Sequence, residues 1–349
     1  MVNLLLNIGQ IGSVLPTRPA TAHRATAPHL KLLSGRLFPF LNNTNPSSFN
    51  GFLTARRIEE IAKEIIACGR LETHSVILDR IGSSKANNPI WAIKIVPQEE
   101  KHPPAYFIAG HHGDEYAGPQ ANMHLLKLVL HELKIGGSGV GSLLGNRTLV
   151  FIPLATPDAA RLDEQGFLVP GTPMSWGKIV DDEGYVVNSN IYHTFEGKIQ
   201  PGAEAIQKYL ESIGVPEIVF DLHETGSVNS DERRKNRYIY APLQIANLTL
   251  TDNNTSAAYI MKVKRGTIDK AVQLFGLDVA ELIINGKPAE RFTRKDQKIL
   301  GFSEYWMLRG AKWSYTIETP MKEEVFNVGA RVLLHVLAVQ EALFEIALI

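Results

Sequence analysis

The sequence predicts an α/β fold built on a doubly wound sheet, and three observations support this fold class. Short runs rich in Val, Ile and aromatic residues alternate along the chain with longer segments of helical periodicity. The 349 residues are 44% hydrophobic, which is enough for the large core of such a domain. Several apolar runs end in polar junctions, and open α/β sheets place their sites at the carboxyl ends of strands.

The elements follow in order from an amphipathic helix that begins at Ile58 and reaches Cys68. Apolar runs then predict strands at residues 74–79, 90–96, 105–108, 148–154, 217–223, 237–241 and 313–318. Helical periodicity predicts helices at residues 119–133, 203–213 and 257–275, and a long helix from residue 324. Cys68 is the only cysteine, which excludes an intrachain disulfide, and its place in the helix favours a core role.

The first 53 residues read as a basic, Pro-rich leader or arm, and residues 54–349 as the folded domain. No Asp or Glu precedes Glu59, whereas Arg18 and Arg24 lie among Ser, Thr and Pro. This composition is typical of an organellar transit segment, and equally of a basic arm or an upstream start-codon extension. The apolar run of this leader is interrupted by polar residues and Gly, so we do not expect a secretory signal or a membrane span there. We expect a cytoplasmic protein unless the leader is a transit segment, with no membrane or nucleic-acid partner; the oligomeric state stays open.

The most informative motif lies directly after the apolar run at residues 105–108. His112 and Glu115 are three residues apart in a Gly-rich junction that precedes a helical pattern. An imidazole and a carboxylate at this spacing suit a zinc ion. A second His-x-x-Glu match, at His193 and Glu196, follows no clear strand, and we favour the first pair.

A catalytic zinc ion needs a third protein ligand and an open position for water. His223 supplies a candidate at the end of a buried strand, and Asp221 could orient an imidazole there. Hydrolysis of an amide further needs a carboxylate that takes a proton from water and passes it to the leaving amine. Glu318 ends another apolar strand, just before Pro320, and is the candidate for that role.

Together these residues resemble the zinc carboxypeptidases and their succinylglutamate desuccinylase and aspartoacylase relatives. The resemblance rests on the Gly-x-His-x-x-Glu cluster, the Asp-Leu-His at His223 and the Ser-Tyr-Thr-Ile-Glu ending at Glu318. It covers the chain from about Leu71 onward and is most specific from Gly301 to Glu318, which favours the peptidase branch. It implies a mixed sheet of the eight-stranded type with helices on both faces, and one zinc ion per chain. It also implies that His112, Glu115 and His223 bind zinc and that Glu318 is the general base and acid.

The sequence departs from the family where carboxypeptidases grip the terminal carboxylate of the substrate. The family's Asp-x-Asn-Arg appears here with Asn188 retained as a substrate-binding residue and Ser189 in place of the Arg. An Arg provides a planar fork for a carboxylate, so another Arg would have to replace it. The family also uses an Arg to stabilise the oxyanion, and Arg161 is our candidate, with a surface Arg as the equal alternative.

Three further positions are candidates for contact with the substrate. The pocket-wall Tyr expected about twenty residues before the catalytic Glu is missing, so Arg294 or Arg309 is an alternative anion contact. The position that sets side-chain preference in the family falls at Ser303, which is neither acidic nor bulky. This argues against an enzyme specific for basic residues and leaves small, apolar or unusual substrates open.

The resulting hypothesis is a zinc-dependent amide hydrolase, specifically a metallocarboxypeptidase that releases C-terminal residues from peptides. One alternative is a deacylase that cleaves an N-acyl amino acid, although those relatives generally carry a further β-rich domain after the catalytic Glu. Another is a non-catalytic zinc protein that uses the pocket for recognition, which Ser189 suggests and Glu318 argues against.

Overall fold

The computed structural model describes most of the domain that follows the leader. The described residues are 53–68, 71–112, 115–135, 140–158, 183–185, 190–194, 197–225, 244–247, 262–263, 265–271, 299–320 and 328–347. Residues 1–52 of the predicted leader therefore lie outside the described residues.

The domain is centred on a mixed sheet, to which the described residues contribute seven strands. These are β1 (His74–Ser83), β2 (Pro89–Pro97), β3 (Ala105–Ala109), β4 (Leu149–Ile152), β6 (Ile218–Thr225), β7 (Gln244–Asn247) and β9 (Trp313–Pro320), in the order β1-β2-β4-β3-β6-β9-β7. The four central strands β4, β3, β6 and β9 are parallel, and β1, β2 and β7 are antiparallel additions at the edges. Two short strands, β5 (His193–Thr194) and β8 (Ile299–Leu300), pair separately.

Helices cover both faces of the sheet, because the side chains of each central strand alternate between two apolar clusters. On one face lie α1 (Ala55–Cys68), α2 (Ala117–Ile135), α3 (Val140–Leu144) and α6 (Val328–Ala347). On the other lie α4 (Pro201–Ile213) and α5 (Phe302–Leu308). The fold class predicted from the sequence, an α/β sheet with helices on both faces, is confirmed.

An aromatic row on the first face shows how closely the four parallel strands pack. Phe151, Phe107, Phe220 and Tyr315 stack from β4 to β9, with ring centroids 4.6, 5.4 and 5.0 Å apart. On the opposite face the fully buried Trp306 of α5 meets the edge of Tyr106 at 5.3 Å. These ring contacts bury large apolar areas on both faces of the sheet, and this packing stabilises the register of the four parallel strands.

The predicted elements differ from the observed ones in a few places. The sequence did not predict the helices α3 and α5, the strand β7 or the two-stranded β5–β8 sheet. The strand predicted at residues 237–241 lies outside the described residues, and the helix predicted at 257–275 is helical at 262–263 and 265–271. Among the described helices, none is long and apolar enough to cross a membrane.

Candidate metal centre and active site

Polar side chains collect where β3, β6 and β9 end. In the parallel register Ala109 of β3 lies beside Leu222 of β6, and His223 lies beside Glu318 of β9. The junction with His112 and Glu115 follows β3 directly, so all three strand ends open onto one place. This is the edge of the sheet at which the sequence predicts the site.

Gly110 turns the chain between β3 and the histidines. Its φ of +70° lies in the left-handed region, and a Cβ atom there would come 2.8 Å from Leu154 Cδ1 and 3.1 Å from Leu154 Cα. Only glycine meets both conditions without strain. The chain can therefore turn sharply against β4 and bring His111 and His112 over the end of β6.

The three predicted zinc ligands meet in this turn. Glu115 lies between the two imidazoles, with Oε1 2.7 Å from His112 Nδ1 and Oε2 2.8 Å from His223 Nδ1. One ligand atom from each residue lies within 4.8 Å of the others. His223 and Glu115 are buried, and His112 is partly exposed on the open side. Two segments far apart in the sequence thus present two imidazoles and one carboxylate to a common point.

A second set of contacts lies behind His223, away from Glu115. His223 Nε2 is 2.9 Å from Asp221 Oδ1, and the same oxygen is 3.1 Å from His111 Nδ1. Asn190 Nδ2 also lies 3.1 Å from His223 Nε2, and Tyr192 OH lies 2.9 Å from His111 Nε2. Asp221 lies against Nε2 of His223, so the Nδ1 atom of the same ring is directed at Glu115. This is the arrangement in which a carboxylate orients a metal-binding imidazole.

His111, Asp221 and His223 also form a group whose atoms are close enough to hold a metal ion. In this group Asp221 Oδ1 is already within hydrogen-bonding distance of both imidazoles. These are ion-pair contacts of the length expected when a carboxylate orients neighbouring imidazoles, and this is the role that we assign to Asp221 behind His223.

The electrostatics of the cluster keep its carboxylates ionised. Burial alone would raise the pKa of Glu115, but the neighbouring His112 and His223 outweigh it and lower the pKa to about 2. Burial opposes ionisation of Asp221 as well, yet His223 and His111 hold its pKa well below the usual range. Burial would lower the pKa of His223, whereas Asp221 and Glu115 raise it well above its ordinary value. The two buried carboxylates thus favour a cation between them, and a proton and a divalent ion would compete for that place.

Glu318 lies beside this cluster on the neighbouring strand. It is the direct parallel partner of His223, and its side chain is partly exposed. Residues of β9 alternate between the faces: Tyr315 and Ile317 lie in the core with α6, whereas Ser314 and Thr316 contact Ser303 of α5. By this alternation Glu318 faces the same side of the sheet as His223 and Asp221.

Two predicted substrate contacts are engaged elsewhere in the described structure. Ser303 is buried in α5, where its Oγ donates to the carbonyl of Tyr315 and accepts from Thr316 Oγ1, both at 3.1 Å. Arg309 lies on the surface at the end of α5, near the start of β9, and pairs with Glu211 of α4. The structure does not bring Arg309 to the strand ends that carry His223 and Glu318. Arg161, Asn188 and Arg294 lie outside the described residues.

The sequence reasoning missed three residues of the cluster. His111 was present in the motif but carried no signal separate from His112. Asn190 and Tyr192 follow the segment of Asn188, and no local pattern marks them, because their contacts are made across the fold. Asn190 also accepts a bond from the backbone N–H of Phe302 at 3.1 Å, which ties this loop to the start of α5.

The donor set fits zinc. Two imidazole nitrogens and one carboxylate oxygen, with a partly exposed side, match the three protein ligands and open position of catalytic zinc sites. His112, Glu115 and His223 would hold the ion, and Asp221 would orient His223.

Comparison with known proteins supports this chemistry. Residues 68–178, which run from the end of α1 past β4 and include His112 and Glu115, match a family model described as zinc carboxypeptidase. None of the curated proteins is significantly similar to the chain in sequence.

Solved structures share the fold, and two of the following three are metallo-carboxypeptidases. One from Burkholderia cenocepacia is 16% identical, covers 84% of this chain and 70% of its own, and has a TM-score of 0.56. One from Pseudomonas aeruginosa, in complex with (2-guanidinoethylmercapto)succinic acid, is 15% identical with coverages of 84% and 68% and a TM-score of 0.54. Bovine thrombin-activatable fibrinolysis inhibitor, in complex with tick carboxypeptidase inhibitor, is 11% identical with coverages of 86% and 99% and a TM-score of 0.56. The resemblance to the zinc carboxypeptidase family is therefore confirmed, by the sequence of residues 68–178 and by the fold of the domain.

Proposed function

We propose that this protein is a zinc-dependent hydrolase that cleaves amide bonds, specifically a metallocarboxypeptidase that releases C-terminal residues from peptides. The observation that supports this proposal best is the placement of Glu318 beside His223, next to the His112–Glu115–His223 triad. A triad alone would suit a structural or recognition site, whereas a partly exposed carboxylate beside it suits proton transfer.

Each residue has a distinct role in this proposal. His112, Glu115 and His223 would hold the zinc ion, which would act as a Lewis acid toward the scissile carbonyl and a water molecule. Glu318 accepts the proton of that water and then delivers it to the leaving amine. Asp221 keeps the Nδ1 atom of His223 directed at the site through its contact with Nε2.

The substrate pocket must also hold a terminal carboxylate. A free C-terminal carboxylate needs a cationic partner, and Ser189 stands where the family carries an Arg. We propose Arg161 or Arg294 for the anion contact and for stabilising the oxyanion. The engagement of Arg309 with Glu211 makes it the weaker candidate. An enzyme without such a contact would favour substrates such as amidated peptides or N-acyl amino acids.

The test combines zinc analysis with hydrolysis of three substrate classes: peptides with a free C-terminus, C-terminally amidated peptides, and N-acyl amino acids. The native protein is compared with Glu318→Gln and with Glu204→Gln, an exposed carboxylate on α4 that pairs only with a surface lysine in the described structure. We expect stoichiometric zinc in all three proteins and a loss of turnover of about 10²–10⁴-fold in Glu318→Gln alone.

Each other outcome is informative. A preference for N-acyl amino acids would move the protein to the deacylase branch. Zinc binding without turnover on any class would favour the recognition protein. Absence of zinc from the folded, metal-supplemented protein would overturn the site assignment.

A further inference from the structure

A buried polar layer lies on the far side of the sheet, directly behind the candidate active site. Glu224 follows His223 on β6, Thr319 follows Glu318 on β9, and the two are direct partners in the parallel register. Because successive side chains of a strand point to opposite faces, Glu224 and Thr319 face away from the site and toward α6.

Two residues of α6 meet this pair. Arg331 Nη1 lies 3.1 Å from Glu224 Oε1, and the two side chains are 1% and 0% exposed. His335 Nε2 lies 3.1 Å from Thr319 Oγ1, and both residues are fully buried. Arg331 and His335 are four positions apart on α6 and therefore share one face of the helix. We call these four residues the α6 clamp.

The clamp also reaches the segment that carries the other two ligands. Glu224 Oε2 accepts the backbone N–H of Ala117 at 2.8 Å, at the start of α2 and two residues after Glu115. The first turn of α2 lies directly on β6, since a Cβ atom at Gly118 would come 2.8 Å from the carbonyl oxygen of Leu222. A carboxylate at a helix N-terminus is also favourable for the helix dipole. Thus one carboxylate joins β6, α2 and α6.

The ion pair in the clamp is not explained by stability alone. Removing two charges from water is expensive, and a well-packed apolar pair at a helix–sheet interface is often at least as stable. The location of the Arg331–Glu224 ion pair suggests a different explanation for its presence. The clamp contacts described above fall on Glu224, Thr319 and Ala117, each one or two positions from His223, Glu318 or Glu115.

We propose that the α6 clamp is a positioning device for the metal centre: through Glu224 and Thr319, it sets the relative placement of His223, Glu318 and the His112–Glu115 turn. The proposal rests on the proposed function in taking zinc as the ion, and metal affinity tests it separately from hydrolysis. Residues behind metal ligands change metal affinity by about 10–100-fold when substituted. Glu224 and Arg331 act through the ligands and touch neither metal nor substrate.

The same strand offers a matched control. Glu217 precedes β6 at its opposite end and pairs with the buried Arg147 at 2.8 Å. Glu224→Gln and Glu217→Gln therefore each remove one charge from a buried or partly buried ion pair, at opposite ends of β6. The amide side chain introduced by Glu224→Gln would keep an oxygen for the Ala117 N–H, which helps the chain to fold.

The experiment measures zinc dissociation constants by chelator competition, the absorption spectrum of the Co²⁺-substituted protein, and urea unfolding of the metal-free chains. We expect Glu224→Gln to bind zinc about 10–100-fold more weakly, with a changed Co²⁺ spectrum. Glu217→Gln should lose stability while its zinc affinity and Co²⁺ spectrum stay native. Equal losses of zinc affinity in the two variants, unchanged affinity in Glu224→Gln, or a native protein that binds no metal would each overturn the proposal.

Thr319→Val tests the second arm of the clamp with a nearly isosteric change, and it also serves if Glu224→Gln does not fold. Loss of the His335 contact should displace Glu318, so kcat should fall while KM and zinc content stay native, and Thr319→Ser should restore kcat. A native kcat in Thr319→Val would overturn this arm. If the native protein hydrolyses none of the substrates, the proposed function fails, while the zinc affinity and the Co²⁺ spectrum of Glu224→Gln still decide whether the clamp positions the metal ligands.

Discussion

Replacing Gly110 with Ala should destabilise the domain and weaken the metal centre together. Gly110 has a φ of +70°, and an added Cβ would lie 2.8 Å from Leu154 Cδ1 and 3.1 Å from Leu154 Cα. The left-handed conformation costs a non-glycine residue about 1–2 kcal/mol. Crowding against a packed core adds about 1–3 kcal/mol. We therefore expect a loss of about 2–5 kcal/mol in the free energy of unfolding.

Gly184 provides the matched control. Its φ is +82°, but an added Cβ would meet nothing within 4 Å. Gly184→Ala should therefore show only the conformational cost of about 1–2 kcal/mol. The entropic effect of Gly→Ala on the unfolded chain is common to both variants and cancels in the comparison.

Urea unfolding of the metal-free proteins measures both free energies, and chelator competition measures zinc affinity. Because His112 follows Gly110 by two residues, Gly110→Ala should bind zinc more weakly than the native protein, whereas Gly184→Ala should not. Equal destabilisation of the two variants would refute the close approach of Gly110 to Leu154. Native zinc affinity in a destabilised Gly110→Ala would refute its role in placing the histidine.

Three further outcomes are expected. Asp221→Asn should bind zinc about 10–100-fold more weakly, because the orienting carboxylate of His223 is lost, and native affinity by chelator competition would contradict that role. In the metal-free protein, Glu115 has a pKa of about 2 against an ordinary 4.5, so its stabilising contribution is present above pH 4.5 and lost as the pH falls toward 2. The raised pKa of His223 adds stability that is fully present below pH 6.5 and lost as the pH rises through its folded value. The urea midpoint should therefore be highest between pH 4.5 and pH 6.5 and should decrease at lower and at higher pH. A midpoint that does not change with pH would contradict the stabilising contact between Glu115 and His223. Trp306 is fully buried between Tyr106 and Tyr305, so Trp306→Ala should lower the free energy of unfolding in urea by about 3–5 kcal/mol. A loss under about 1 kcal/mol would show that neighbouring side chains fill the cavity.

The main elements of the candidate site were predictable because each is marked locally. His112, Glu115, His223 and Glu318 all follow or end short apolar runs, and a polar residue at the end of a buried strand is visible without knowing its neighbours. The parallel register of β6 and β9 then places His223 beside Glu318. The helix α5 was not predicted, since seven residues hold too little periodicity to separate it from a loop.

Arg309 shows what local patterns cannot supply. Its sequence position is close to Glu318, but α5 and β9 run in opposite directions, so Arg309 lies near the start of β9 and pairs with Glu211 of α4. A cation close in sequence to a site residue can therefore lie at the other end of the strand.

The sequence by itself determined the α/β class, the strands that carry the site and the residue types that suit zinc, because burial and strand ends leave a signature in a few consecutive residues. Only the tertiary structure decided the order of strands and the contacts behind the ligands. Asp221 with His111, Asn190 with His223, and Arg331 with Glu224 join segments that lie about 30 to 110 residues apart. Such pairs depend on which strands are neighbours and on which face each side chain takes, and these are properties of the assembled sheet.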